Sequence, residues 1–313
     1  MRRAFLVALG AGALACAPSG PAAPVGMPGD TPGDTPGGTR PEAAPSLASE
    51  APLRELERLA FVPRGRSPRE AALPVVGSDT DLLVDRFEVT RAHWLEVLPE
   101  LPAPWGAGPA GDLPAIHIDL AAAEVFCARR GLRLPTTTEW LWLAVGPRGS
   151  PYPYARMQDS IVNMQTRELD LGRPVPVGTF ENGRTPDTGL YDLHGNVREL
   201  ALVAAPDGSV RAYAAGGSFA TPSSPTFGRA PQDFVLLDPI DRGARSDDVG
   251  LRCVTPARPW LAANGAALSR PEWRAALQAV GARWGPRAAP LLAELAAADD
   301  APSAYTWLAE GAK

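Results

Sequence analysis

Gly189-Leu190-Tyr191-Asp192-Leu193-His194-Gly195-Asn196-Val197-Arg198-Glu199-Leu200 alternates apolar and polar residues around the pair Gly195-Asn196. Glycine and asparagine both tolerate positive φ, so the pair marks a tight turn. A chain that folds back there brings Asp192, Glu199 and nearby backbone carbonyls toward one point. Two readings follow from the residues alone. Carboxylate and carbonyl oxygens together suit a hard cation such as Ca²⁺. The same stretch also reads as a tight turn carrying two solvated acids.

The 313 residues suffice for one large domain or two ordinary ones. Hydrophobic residues make up 45% and charged residues 21%, the balance of a globular chain. Thirty-five prolines and 31 glycines call for long loops and at least one unfolded stretch. A net charge of −5, with no basic block longer than Arg129-Arg130 past the N-terminus, gives no basis for a nucleic-acid partner.

At the N-terminus Met1-Arg2-Arg3 precedes an apolar run over residues 4–15. Crossing a bilayer takes about 20 residues, so residues 1–15 read as a secretory signal peptide. The run ends Ala13-Leu14-Ala15-Cys16, which resembles a bacterial lipobox with alanine where leucine is usual. The alternative is an ordinary signal peptide with an incidental cysteine. Acyl chains on Cys16 make the membrane a partner. Residues 16–50 then form a Pro/Gly-rich tether without core-forming residues.

Packed structure is expected from residue 53. Residues 53–59 fit a short helix and residues 81–89 a strand. Thr90 can cap a helix carrying Trp94, Leu95 and Leu98, and Asp119 can cap residues 120–130, stopped by Gly131. Thr136-Thr137-Thr138-Glu139 is a capping box opening a helix dense in Trp140, Leu141, Trp142 and Leu143. Residues 146–184 read mostly as loop, and residues 210–214 and 249–254 as strands. Beyond Pro256 the chain turns Ala/Leu-rich and helical. Ser269-Arg270-Pro271-Glu272 reads as a second capping box, before a stripe of Trp273, Leu277, Val280 and Trp284. Such a stripe serves either as core or as a binding surface. Residues 287–298 and 303–310 read as two more helices.

In order, several segments resemble the formylglycine-generating enzyme (sulfatase-modifying factor) family. Asp85-Arg86-Phe87-Glu88-Val89-Thr90 is similar to that family's Glu-Val-Thr strand, and Arg133-Leu134-Pro135-Thr136-Thr137-Thr138-Glu139-Trp140 to its Arg-Leu-Pro-Thr-Glu-Ala-Glu-Trp signature. Residues 189–199 resemble its Gly-Leu-Tyr-Asp-Met-His-Gly-Asn-Val-Trp-Glu. Gly216-Gly217-Ser218-Phe219 resembles Arg-Gly-Gly-Ser-Trp, and Gly250-Leu251-Arg252-Cys253 resembles Gly-Phe-Arg-Cys. The resemblance implies a loop-rich α+β domain over residues 53–255, related to C-type lectins, with residues 256–313 as a helical extension that it does not cover.

Active members of the family hold Cu(I) between two cysteines after the Gly-Gly-Ser segment. Here those positions are Thr221 and Thr226, beside Ser218. Hydroxyls are hard, weak ligands and do not replace soft thiolates, so copper and formylglycine generation are not expected. A second branch of the family needs a histidine-rich iron motif. His93, His117 and His194 include no i,i+4 pair, which excludes it.

The resemblance also implies a structural Ca²⁺ on the side chains of Asp192 and Glu199 and the carbonyls of Gly195 and Val197. A weaker second site would use Asn163, Met164, Asp170 and Gly172. It pairs Cys127 with Cys253 as a disulfide, two buried thiols being the alternative. The expected protein is an exported, membrane-anchored lipoprotein of the bacterial cell envelope. Its domain would be a non-catalytic binding or scaffold module for an envelope protein or peptide ligand. The alternatives are an oxidase acting on a protein cysteine and a lectin-like carbohydrate-binding protein.

Overall fold

Helix α1 (Leu47–Arg58) runs directly into strand β1 (Leu59–Val62), whose four residues are all buried. The computed structural model describes residues 47–67, 76–100, 105, 111–147, 167–204, 209–222 and 237–313. The signal run, Cys16, Asn163, Met164 and Thr226 therefore lie outside the described residues. Helix α1 starts a few residues inside the stretch expected as tether.

Strands β2 (Gly65–Arg66) and β3 (Gly77–Ser78) form a small antiparallel pair. Strand β4 (Leu82–Asp85) is the centre of a three-stranded antiparallel sheet. It pairs with β1 in the register Leu59↔Asp85, and with β9 (Val254–Pro256) in the register Leu82↔Pro256. The strand expected over residues 81–89 is thus only four residues long. A four-stranded sheet follows the order β7-β6-β5-β8, built from β5 (Arg198–Ala204), β6 (Val210–Ala215), β7 (Leu237–Ile240) and β8 (Val249–Gly250). Residues 249–254, expected as one strand, are split. β8 runs parallel to β5, β9 joins β4, and Leu251-Arg252-Cys253 crosses from one sheet to the other. That crossing carries Arg252 into the middle of the molecule, where it is fully buried.

Three helices have local sequence reasons. Thr90 accepts the His93 N–H to start α2 (Arg91–Val97), and Asp119 accepts the Ala122 N–H to start α3 (Leu120–Arg129). Thr136 and Glu139 form the reciprocal capping box of α4 (Thr137–Val145), whose Trp140 and Trp142 are buried. Trp142 donates its ring N–H to the Pro63 carbonyl at 3.1 Å. The Cys127 and Cys253 sulfurs form a disulfide, Cα–Cα 5.7 Å, which ties α3 to the inter-sheet crossing.

Past β9 come α5 (Ala257–Leu268), a 3-10 turn at Pro271–Trp273, α6 (Arg274–Trp284), α7 (Ala289–Ala296) and α8 (Ser303–Gly311). Ser269 does not form the expected capping box. It terminates α5, donating its hydroxyl to the Gly265 carbonyl and accepting the Ala304 N–H. Trp273, Leu277, Val280 and Trp284 are each at most 7% exposed, so the stripe is core. Burial stabilises each by about 2 kcal/mol. Helices α6 and α8 touch backbone to backbone. A Cβ on Gly281 would lie 2.0 Å from the Leu308 carbonyl oxygen, and one on Gly311 would lie 1.9 Å from that of Gln278. Trp284 then donates to the Leu59 carbonyl at 3.0 Å, fixing the extension to β1. Among the described residues no helix is long and apolar enough to cross a membrane.

Candidate functional site

The opening segment turns through four residues with positive φ, Gly189 (φ 68°), Asp192 (φ 60°), Gly195 (φ 124°) and Asn196 (φ 59°). Positive φ at aspartate and asparagine carries a small cost that their short polar side chains recover in hydrogen bonds. Asn196 is 1% exposed and acts as a clamp. Its Oδ1 accepts the Val175 N–H at 2.9 Å, and its Nδ2 donates to Glu88 at 2.5 Å. Glu88 also accepts the Val197 N–H at 3.0 Å. The Asp192 carboxylate accepts the Gly178 N–H at 2.7 Å.

Glu199 is fully buried on β5 and receives three donors. Arg252 Nε lies 3.1 Å from both of its oxygens, Arg252 Nη2 lies 2.7 Å from Oε1, and Trp140 Nε1 lies 2.8 Å from Oε2. Arg252 also donates to the carbonyls of Asp85 and Tyr191, both at 2.6 Å. One arginine thus closes the gap between the two sheets while satisfying a buried acid, as a buried charge requires.

The surrounding acids are not all compensated. Burial, and then repulsion from Asp192 and Glu199, pushes Glu88 well above the usual carboxylate range. Burial pushes Asp192 up to about 6, with the Gly178 N–H and Arg252 opposing. His194, also on this segment, is driven down to about 4 by burial, its Nε2 lying 3.5 Å from the Ala144 carbonyl.

These placements bear on the cation reading. Asp192 and Glu199 do lie in one electrostatic neighbourhood. The oxygens of Glu199, however, are already addressed by Arg252 and Trp140, so Glu199 is not a free ligand. Among the described residues no group of three or more His, Cys, Asp or Glu side chains is arranged to hold a metal. Asp170 and Gly172 of the weaker site sit in an exposed turn, both with positive φ.

The Gly-Gly-Ser segment lies alongside. Gly216 has φ +83°, and a Cβ there would come within 2.9 Å of Leu193 O and the Trp140 ring, so only glycine fits. Ser218 is buried and donates to Asp248 at 2.8 Å. Burial pushes the Asp248 carboxyl up, but hydrogen bonds from Arg198, Ser246 and Ser218 outweigh it and hold the group below its ordinary value. Thr221 donates its hydroxyl to the Ser218 carbonyl at 2.9 Å and accepts the Ser218 N–H. It therefore closes a turn.

Sequence reading pointed at Asp192 and Glu199 and missed their partners Glu88, Asn196, Trp140 and Arg252. The signal was present, since each lies within one of the quoted family motifs.

A loop-rich α+β domain with pinned glycine turns and a buried arginine–carboxylate centre between its two larger sheets defines a recognisable class. The sulfatase-modifying factor enzyme 1-like domain matches residues 70–257, and the chain belongs to that family. It is similar to the inactive C-alpha-formylglycine-generating enzyme 2 of Mus musculus, with 29% identity over 182 residues, 53% of this chain and 58% of that protein. The Bos taurus protein of the same name is 31% identical over 183 residues, covering 54% and 58%. The chain therefore spans little more than half the length of these curated relatives. Among solved structures, Treponema denticola variable protein 1 shares 17% identity at a TM-score of 0.47, over 63% of this chain and 94% of that one. PvdO from Pseudomonas aeruginosa shares 18% at 0.46, over 63% and 93%.

Proposed function

We propose that this chain is a non-catalytic binding module of the sulfatase-modifying-factor type, exported and held at a bacterial cell envelope by lipid on Cys16. The observation that carries the non-catalytic reading is Thr221. A hydroxyl that closes its own turn, at a position where active members have a thiolate, offers nothing to Cu(I). The curated relatives, themselves named inactive, support the same reading. The ligand is a peptide segment or an envelope protein. Export and anchoring rest on the sequence of residues 1–50. Any Ca²⁺ at the centre is structural and draws on Asp192 and the Gly195 and Val197 carbonyls, with Glu199 shaping the site through Arg252.

Copper loading followed by mass spectrometry tests the non-catalytic reading, together with incubation of a Cys-x-Pro-x-Arg peptide under O₂. The expected result is no retained copper and an unchanged peptide. Tight Cu(I) binding or oxidation of the peptide cysteine sinks the reading in favour of an oxidase. For the anchor, Cys16→Ala is expected to move the protein from the membrane fraction to the soluble fraction of an envelope extract.

A further inference from the structure

Beside the turn that enters the Gly189 segment, a cavity of about 220 Å³ opens between the matched domain and α6. Four arginines line it, Arg86, Arg184, Arg283 and Arg287, against a single acid, Asp187. Two of the four charges are met by carboxylates. Arg184 lies 3.2 Å from Glu181, and Arg287 lies 4.0 Å from Asp187. The other two have no carboxylate within ion-pair distance among the described residues, although the more distant Glu57 carboxylate acts on Arg283. Arg283 donates to the Glu57 carbonyl at 2.8 Å, and Arg86 stands over the Phe87 ring at 5.2 Å.

Two guanidiniums sharing one partly enclosed space repel each other, and low local polarity strengthens that repulsion. Burial and then the charge of Arg86 hold Arg283 below its ordinary value, which agrees with the geometry. A dianion between them removes the repulsion, and guanidinium forks match oxyanion geometry. The Thr185 and Thr188 hydroxyls, 2.6 Å apart on the same wall, add polar contacts. The space is too small for a helix or a strand.

We propose that this cavity binds a phosphate group, free or as a monoester, held by Arg86 and Arg283. Arg283 lies outside residues 70–257, so the site exists only where the extension meets the domain. Neither Thr221 nor the buried carboxylates contribute to it.

The test is a titration of the full chain with inorganic phosphate, against sodium chloride at matched ionic strength, read by thermal shift and calorimetry. Saturable stabilisation by phosphate and none by chloride is expected. Arg86→Gln and Arg283→Gln should each weaken it at least tenfold. Arg258→Gln, whose arginine pairs with Glu294, should leave it unchanged. A variant that melts early without phosphate is replaced by its Arg→Lys counterpart, which keeps the charge, loses the fork and should weaken binding by a smaller factor. Competition by glycerol 3-phosphate assigns a soluble ester. Sedimentation with phosphatidic acid vesicles, blocked by free phosphate, assigns a lipid headgroup. No saturable response, or an equal response in all variants, overturns the proposal.

Discussion

Arg130 and Arg252 are both buried, and both reach Asp85, yet they sit in different electrostatic company. Arg130 takes the Asp85 carboxylate, with Nη1 at 2.8 Å, and also pairs with Glu55 of α1. Arg252 takes the Asp85 carbonyl and shares its centre with Glu88, Asp192 and Glu199. One cluster sets two acids against one cation, the other three. Around Arg130, burial pushes both acids up; the guanidinium overcomes it at Asp85, which stays below its ordinary value, but leaves Glu55 above its own. Around Arg252, Glu88 and Asp192 are left high. The difference shows two tasks. Glu55 lies outside residues 70–257, so the Arg130 cluster fastens an added helix to the family domain. The Arg252 cluster lies wholly within the matched region and sets more acids than cations at one point, which favours the protonated forms of Glu88 and Asp192.

The largest effect should separate the two arginines. Removing one partner of a buried ion pair costs about 3–5 kcal/mol. Arg252→Met should reach about 5 kcal/mol or prevent folding, because it strands three acids, while Arg130→Met should cost about 3. Urea unfolding of both variants measures this, and equal losses would erase the distinction drawn above. Next comes the disulfide beside both clusters. Cys253 donates its N–H to the Asp85 carboxylate at 2.9 Å, and the bridge closes a separation of 126 residues. Replacing both cysteines by alanine should cost about 3–5 kcal/mol, read as a lower urea midpoint.

A smaller effect, of opposite sign, is expected at Asp192. Its folded value of about 6 lies above the ordinary 3.8, so the folded state holds the proton more tightly. That stabilisation is complete below about pH 4 and is lost as pH rises through 6. In EGTA at pH 7.5, Asp192→Asn should therefore stabilise by about 1–2 kcal/mol, discounted for its partial exposure. The gain should vanish by pH 4. His93 and His194, held down to about 3 and about 4, first by burial, work the other way and weaken the fold below pH 6.5. The readout is therefore the difference between variant and parent. With a Ca²⁺ at Asp192, calcium raises the parent's melting temperature and leaves the variant's unchanged; identical midpoints with and without calcium in the parent count against the ion. The smallest effect is the control. Arg258 and Glu294 pair with both side chains about half exposed, so Arg258→Gln should change stability by less than about 0.5 kcal/mol.

What the sequence made legible was local or repeated. Thr90, Asp119 and Thr136 cap their helices because capping depends on residues three apart. Gly195 and Asn196 take positive φ because the turn is made by the two of them. The motif order disclosed the family, which a single turn did not. What stayed hidden was long-range. Nothing near Glu199 announces that Arg252 and Trp140 will occupy its oxygens. The Ser269 capping box failed because the hydroxyl instead bonds the Gly265 carbonyl one turn back in its own helix and the Ala304 N–H brought in by helix packing. Residues 249–254 looked like one strand because alternation cannot show a chain changing sheets.

That crossing also imposes an order of events. Arg252 follows Glu199 by 53 residues and Asp85 by 167, and Cys253 follows Cys127 by 126. A ribosome delivers the acids and the first cysteine well before their partners exist. Strand β4 likewise waits with one side unpaired until β9 is made. Such distant pairings close slowly, because loop entropy is spent before contact is made. The centre of this molecule therefore locks only when its last strand has been synthesised.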